Sequence, residues 1–218
     1  MSAGRRYDAV LLDFDGTLVD SLPLYEQTLA QLIDEFGLRP LPSDDMQALR
    51  GMGMQALIDA LGLRWWRIPA ATRRMRALVA AQRERLHLID GMAAVLRQLH
   101  AQGVSLQVVS SNSQATVEAV LGAPLRPLFA RLHCDVPLLG KRRALARAWR
   151  VTGLPAARVL SVGDELRDAQ ASRALGLDFA AVAWGLGLPL QLQDATPLAL
   201  LQQPQSLLHC VLGPAVTA

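Results

Sequence analysis

Four short stretches of this chain end in side chains able to manage a phosphoryl anion or a divalent cation. Asp13, Asp15 and Thr17 stand in "DFDGT"; Ser110, Ser111 and Asn112 in "VSSNS"; Lys141 opens "KRRALARAWR"; Asp164 and Asp168 lie in "VGDELRD". Lys141 is the only lysine among 22 basic residues, and Asn112 is the only asparagine. Strand alternation sets Asp13 and Asp15, two residues apart, on one side. Four carboxylates gathered at one mouth repel one another strongly. An oxygen-seeking divalent cation relieves that repulsion, and Mg²⁺ is the usual choice where phosphates are handled. One carboxylate is then placed to attack a phosphoryl group. Hydroxyl, amide and ammonium donors neutralise its equatorial oxygens in the transition state.

Such a set works only if the fold brings its members to one place. The run "YDAVLLDF" (Tyr7 to Phe14) is almost unbroken in its apolarity, as a central parallel strand buried on both faces would be. Further strands are predicted at Ser105 to Ser110, Arg158 to Gly163 and Asp178 to Trp184. Between them Met92, Val95, Leu96 and Leu99 share a helix face with Gly103 as the stop, and Leu145, Ala148, Trp149 and Thr152 repeat the spacing before Gly153. Strand–helix alternation from Asp90 onward predicts an α/β fold with a doubly wound parallel sheet, Rossmann-like, whose ligands sit beyond the carboxyl ends of the strands. After the first strand the alternation lapses. Leu22, Tyr25, Leu29, Leu32, Ile33 and Phe36 line one helix face closed by Gly37; helical stretches follow at Asp44 to Leu49, Met54 to Leu61 and Ala70 to Leu86. That stretch is too long for a crossover and reads as an inserted helical cap at 19–87, with the catalytic core formed by 1–18 and 88–218. The segment from Gly187 onward, rich in Pro, Gln and Leu, is not assigned.

The motifs "DFDGTLVDS", "VVSSN", Lys141 and "VGDELRD", in that order, resemble the four motifs of the haloacid dehalogenase superfamily in its phosphatase branch. The helical insert resembles the C1 cap of the subgroup that contains phosphoglycolate phosphatase and β-phosphoglucomutase. The resemblance implies Asp13 as the nucleophile that becomes an aspartyl-phosphate and Asp15 as general acid, then base. It implies Ser110 as a phosphoryl ligand and Lys141 as the cation steadying the phosphoryl group and the nucleophile. It places Mg²⁺ on the Asp13 carboxylate, the Asp15 backbone carbonyl and Asp164, with Asp168 supporting it directly or through water. Thr17, Ser111, Asn112 and Arg50, in "LRGMGM", are the expected substrate contacts. The function implied is hydrolysis of a small phosphorylated metabolite, phosphoglycolate-like or a sugar phosphate. Dehalogenases of the superfamily lack an acid at the second aspartate position, and Asp15 is present. Phosphonate-cleaving relatives need a cap lysine, and this insert has none. A phosphomutase of the β-phosphoglucomutase type shares all four motifs and stays open. In a different class, a phospho-aspartate signalling module uses a similar set but has no use for the second acid or the insert.

Several of these residues have plainer readings. Ser111 and Asn112 serve helix entry as readily as substrate contact, and Asp168 could be a first-turn acid facing the helix dipole. Asp20 with Ser21, and Asp90, read as helix N-caps. Trp65 and Trp66 are adjacent and cannot both face one way, so one of them is expected to be exposed, and cap packing or a subunit contact is favoured over substrate stacking. Arg143, Arg147 and Arg150 read as a solvated face. A net charge of +3 favours anionic ligands, but the arginines are scattered and no nucleic-acid motif appears. Cys134 and Cys210 have no metal or redox spacing. No apolar run has the length of a signal peptide or a membrane span, so a cytoplasmic protein is expected, with no nucleic-acid or membrane partner and with a homodimer left open.

Overall fold

The computed structural model describes residues 5–41, 54–187 and 189–213. Its centre is a six-stranded, all-parallel sheet. The strands are β1 (Ala9–Leu12), β4 (Ser105–Val109), β5 (Phe129–His133), β6 (Val159–Gly163), β7 (Asp178–Val182) and β8 (Ala199–Leu201), arranged in the order β5-β4-β1-β6-β7-β8. Both faces of β1 are buried, and the pleat divides its side chains. Val10 and Leu12 join one core with Leu106, Val108, Leu160 and Val162, while Ala9 and Leu11 join a second with Val109 and Val159. Helix α4 (Met92–Ala101) covers the first face through Met92, Val95, Leu96 and Leu99, the stripe read from the sequence. Helices α5 (Gln114–Leu125) and α9 (Ser206–Leu212) join it there. On the other face lies α6 (Lys141–Thr152), through Leu145 and Ala148, and the short α8 (Pro189–Asp194) packs Leu192 with Phe179 and Ala181 of β7. At α4 the N-cap position falls to Gly91, in the left-handed region at φ 83°, rather than to Asp90. Such a site favours glycine over any residue with a Cβ.

The four strands read from the sequence lie within their assigned stretches, each shortened at one or both ends. Strands β5 and β8 escaped the reading, and both lie at sheet edges. Their burial explains it: in "FARLH" only Phe129 is fully buried, and β8 is three residues long.

Between β2 (Val19–Asp20) and β3 (His87–Leu88), a two-stranded antiparallel ribbon, the chain makes a helical excursion. It contains α1 (Leu22–Phe36), α2 (Met54–Ala60) and α3 (Ile68–Ala81). The last helix predicted from Ala70 to Leu86 begins two residues earlier, with Pro69 in its first turn, and breaks at Gln82 into a 3₁₀ turn. The stretches Asp44 to Leu49 and Arg50 lie outside the described residues. Ser21 occupies the N-cap of α1, but its side chain makes no capping bond, and Asp20 belongs to β2. Helices α1 and α3 pack together, and Arg74 adds a two-pronged ion pair to Glu35. Trp65 and Trp66 stack edge to face at 5.7 Å between ring centres, and both are exposed, not one. Arg143, Arg147 and Arg150 face solvent. Among the described residues no helix is long and apolar enough to cross a membrane.

Candidate active site

Register puts the chemistry at the carboxyl ends of the three central strands. Leu12 pairs with Val108 on one side and Val162 on the other, so Asp13, Ser110 and Asp164 leave neighbouring strands at nearly one level. Helix α6 enters the same region with Lys141 as its first residue. Helix α7 (Leu166–Arg173) follows β6 and brings Asp168 back in its first turn. Asp13, Asp15, Ser110, Asn112, Lys141, Asp164 and Asp168 are all buried.

Lys141 is the hub. Its Nζ lies 2.8 Å from Asp13 Oδ1, 2.8 Å from Asp168 Oδ1 and 3.0 Å from the Val109 carbonyl. The Val109 carbonyl takes one ammonium N–H, and the two carboxylates balance the buried charge as ion pairs. Burial disfavours the charged ammonium, but Asp13 and Asp168 together outweigh it and raise the Lys141 pKa above its ordinary value. Asp168 also holds the start of α7, where its Oδ2 accepts the Glu165 amide at 3.2 Å as half of a capping box. The first-turn reading of Asp168 and its membership of the cluster are therefore both true.

Asp13 is tied through Oδ1 to Lys141 and to the Phe14 amide, whereas its buried Oδ2 has no hydrogen-bond partner. Burial raises its pKa against the pull of Lys141. Asp15 is held at 3.1 Å by both of its oxygens on the Asn112 amide nitrogen, and the Tyr25 hydroxyl of α1 adds a hydrogen bond. Burial first, and the charge of Asp13 second, push Asp15 up to about 7. Asn112, expected to meet substrate, is thus turned onto Asp15, and its backbone amide donates to the Ser110 hydroxyl at 2.9 Å. Thr17, also expected at the substrate, is fully buried and donates to Asp164 Oδ1 at 2.9 Å. Arg50 lies outside the described residues.

Asp13, Asp164 and Asp168 each offer an oxygen within 4.8 Å of the others. Burial raises the Asp164 pKa well above its ordinary value, and the surrounding carboxylates add to it. Three buried carboxylates held together against their mutual repulsion fit a small divalent cation.

The sequence reading missed an entire wall of the site. The loop after β7 wraps Asp164: the Leu186 amide donates to its Oδ2 at 2.7 Å, and the Trp184 indole donates to the Thr17 carbonyl at 3.1 Å. A Cβ on Gly185 would fall 2.1 Å from the Asp164 Cβ. The closely spaced glycines of "WGLG" were the available signal. Tyr25, counted as part of an apolar stripe, carries a polar tip that reaches Asp15. Arg76 of α3 was passed over: its Nε donates to the Ser111 carbonyl at 2.7 Å, its Nη2 to the Val136 carbonyl at 3.0 Å, and its Nη1 lies 3.5 Å from Asp135. Beyond Asp15, Ser111 and Asn112 a cavity of about 260 Å³ opens between these core loops and α1, α2 and α3. Most of its wall is apolar, including Leu29, Leu57, Met75 and Leu186.

Residues 10–182 match the family model for haloacid dehalogenase-like hydrolases. A phosphoglycolate phosphatase of Synechococcus elongatus is 36% identical over 93% of this chain and 96% of its own length. One from Xanthomonas campestris is 30% identical over 91% of this chain and 94% of its own. Among solved structures, a haloacid dehalogenase-like hydrolase of Streptococcus pneumoniae superposes with a TM-score of 0.78 at 20% identity, covering 94% of this chain and 98% of that one.

Proposed function

This chain belongs to the haloacid dehalogenase-like hydrolase family, and from that premise we propose a Mg²⁺-dependent phosphomonoesterase that hydrolyses a small phosphoglycolate-like ester through an aspartyl-phosphate on Asp13. One observation carries the assignment above the others: Asp13 presents a buried, unpartnered oxygen while its other oxygen is fixed by Lys141. An oriented carboxylate with one free oxygen is what an attack on phosphorus requires.

In the first step Asp13 Oδ2 forms a bond to phosphorus, the ester P–O bond breaks, and the departing oxygen takes a proton from Asp15. In the second step a water attacks the aspartyl-phosphate, Asp15 takes a proton from it, and inorganic phosphate leaves with the carboxylate of Asp13 restored. Asp15 suits both steps because a group titrating near 7 can hold and release a proton at neutral pH. Asn112 and Tyr25 orient it. The Ser110 hydroxyl and the Lys141 ammonium serve as donors to the phosphoryl oxygens, and Asp168 holds Lys141 in position. Mg²⁺, held by Asp13 and Asp164 with Asp168 close by, would supply positive charge against the phosphoryl oxygens. The helical excursion acts as a cap, with 1–18 and 88–218 as the core, and Arg76 fastens it to the loop that carries Ser110 and Asn112 and to the loop after β5.

The test is phosphate release by the wild type and Asp13→Asn, with circular dichroism on both. Turnover of 2-phosphoglycolate by the wild type and loss of more than ~10³-fold in a folded variant support the reading. Activity of the variant within tenfold of wild type overturns Asp13 as the nucleophile.

A further inference from the structure

The cavity that opens beyond Asp15 has two cationic side chains in its described wall, Arg76 and Arg167. They differ in what they have left to offer. Each nitrogen of the Arg76 guanidinium faces an acceptor on the core: the carbonyls of Ser111 and Val136, and Asp135. Arg167 is gripped from one side only. Its Nη2 donates to Glu165 Oε1 at 2.8 Å, and its buried Nε, 2.8 Å from Oε2, makes an ion-pair contact without a hydrogen bond, which leaves the Nη1 edge of the five-donor fork for another partner.

We propose that Arg167, clamped by Glu165, binds a carboxylate of the substrate beside the phosphoryl site and so selects phosphomonoesters that carry a second anion. The proposal rests on the phosphomonoesterase reading above and names the substrate class of the same site. Arg167 shares the cavity wall with Asp15, and its charge is felt at both Asp13 and Asp15 against the larger effect of burial. In a phosphorylated 2-hydroxy acid one carbon separates the ester oxygen from the carboxylate. An anion receptor for such a substrate has to stand close to the group that protonates that oxygen. The hydrogen bond and ion pair to Glu165 hold the guanidinium against the cavity wall in advance, which lowers the cost of ordering it on binding. Leu166, Leu186 and Leu192 contribute apolar surface to the same wall, and a carboxylate–guanidinium pair gains strength where water is scarce. The wall also carries Asp15, Glu26 and Glu165, which would turn an anion away if no cation answered them.

Two substrates of matched shape isolate the effect. Ethyl phosphate is 2-phosphoglycolate with a methyl group where the carboxylate stands. We expect R167Q to lower the ratio of kcat/KM for 2-phosphoglycolate to that for ethyl phosphate by at least ~30-fold, the scale of truncating one partner of a buried charge pair. An unchanged ratio overturns the proposal, whether both substrates keep their rates or both lose equally, since an equal loss would assign Arg167 to the phosphoryl group or to the fold. If R167Q does not fold, R167K, which keeps the charge but not the fork, is read by the same ratio. If the wild type hydrolyses neither ester, the phosphomonoesterase reading fails, and calorimetric titration of 2-phosphoglycolate decides the proposal separately. Binding to D13N that weakens at least tenfold in D13N/R167Q supports it. Equal affinity, or no binding at millimolar concentration, overturns it.

Discussion

Lysine and arginine differ at position 141 in shape rather than in charge. The ammonium reaches Asp13, Asp168 and the Val109 carbonyl from a single nitrogen, inside a buried pocket. A guanidinium spreads its donors across a plane and would have to displace one of the three acceptors. Lys141→Arg is expected to lose at least ~10²-fold in kcat, the scale of removing a positioned donor, with the fold retained. Steady-state kinetics beside a thermal melt check it, and near-normal turnover would show that charge alone suffices. Asp15 gives a second residue-scale prediction. An aryl phosphate, whose leaving oxygen departs without help, should lose far less in Asp15→Asn than an alkyl phosphate, provided formation of the aspartyl-phosphate is followed as the burst of alcohol release. Equal losses on both esters would contradict Asp15 as the acid. At this scale the sequence was highly legible. Asp13, Asp15, Ser110 and Asp164 follow strand ends, Lys141 and Asp168 lie in first turns of helices, and all six meet at one mouth, because the order of strands and helices is enough to bring them together. Arg167 was not legible: in "VGDELRD" it looks like a solvated arginine, and only the fold turns it into the cavity.

The elements that close the site are the ones the sequence concealed. Periodicity finds buried stripes, and the loop after β7 has none; it acts through backbone amides and glycines packed on Asp164. Gly16, in the first turn after β1, belongs to the same packing. At φ 69° it occupies the left-handed region, and a Cβ there would sit 2.1 Å from Asp164 Oδ2. Gly16→Ala is expected to cost at least about 1–2 kcal/mol from conformation alone, and more from the clash. The displacement of Asp164 should also weaken Mg²⁺ activation, seen as a higher concentration for half-maximal rate. An unchanged melting temperature and Mg²⁺ response would refute the contact. Arg76 makes an element-scale prediction of another kind. Cutting it to alanine frees α3 from the loops after β4 and β5, so KM should rise while the melting temperature moves little. A melting temperature lowered with KM unchanged would make Arg76 a purely structural brace.

Across the whole molecule, the end of the sheet opposite the site is fastened by charge. Asp8 receives Arg158 at 2.7 and 2.9 Å and Arg5 at 2.6 Å, and Arg158 also reaches the Arg5 carbonyl at 2.9 Å. The hydrogen bonds from Arg158 and then Arg5 hold the Asp8 carboxyl down at about 2. Because the folded value lies below the unfolded one, the stabilisation is fully present above about pH 4 and is lost as pH falls through 2. The cluster is partly open to solvent, so the effect is modest at physiological salt. Urea midpoints of wild type and Asp8→Asn should therefore differ by a constant amount from neutral pH to about pH 5 and converge below pH 4. A gap that widens on acidification would reverse the assignment. The parallel order and the helical excursion were readable from alternation and its lapse. The edge strands were not, since a strand covered on one side needs no continuous apolar run.

The indole of Trp184, hydrogen-bonded to the Thr17 carbonyl, also makes the site visible. Of the four tryptophans, Trp65 and Trp66 stand in solvent on the excursion, and Trp149 is tied to the Leu154 carbonyl at the far end of α6. Trp184 alone touches the turn that follows Asp13. With the other three replaced by phenylalanine, its emission becomes an intrinsic optical gauge of the loop around Asp164, read in stopped flow without a label. Each arrival of substrate and each departure of phosphate could then be timed separately, as light.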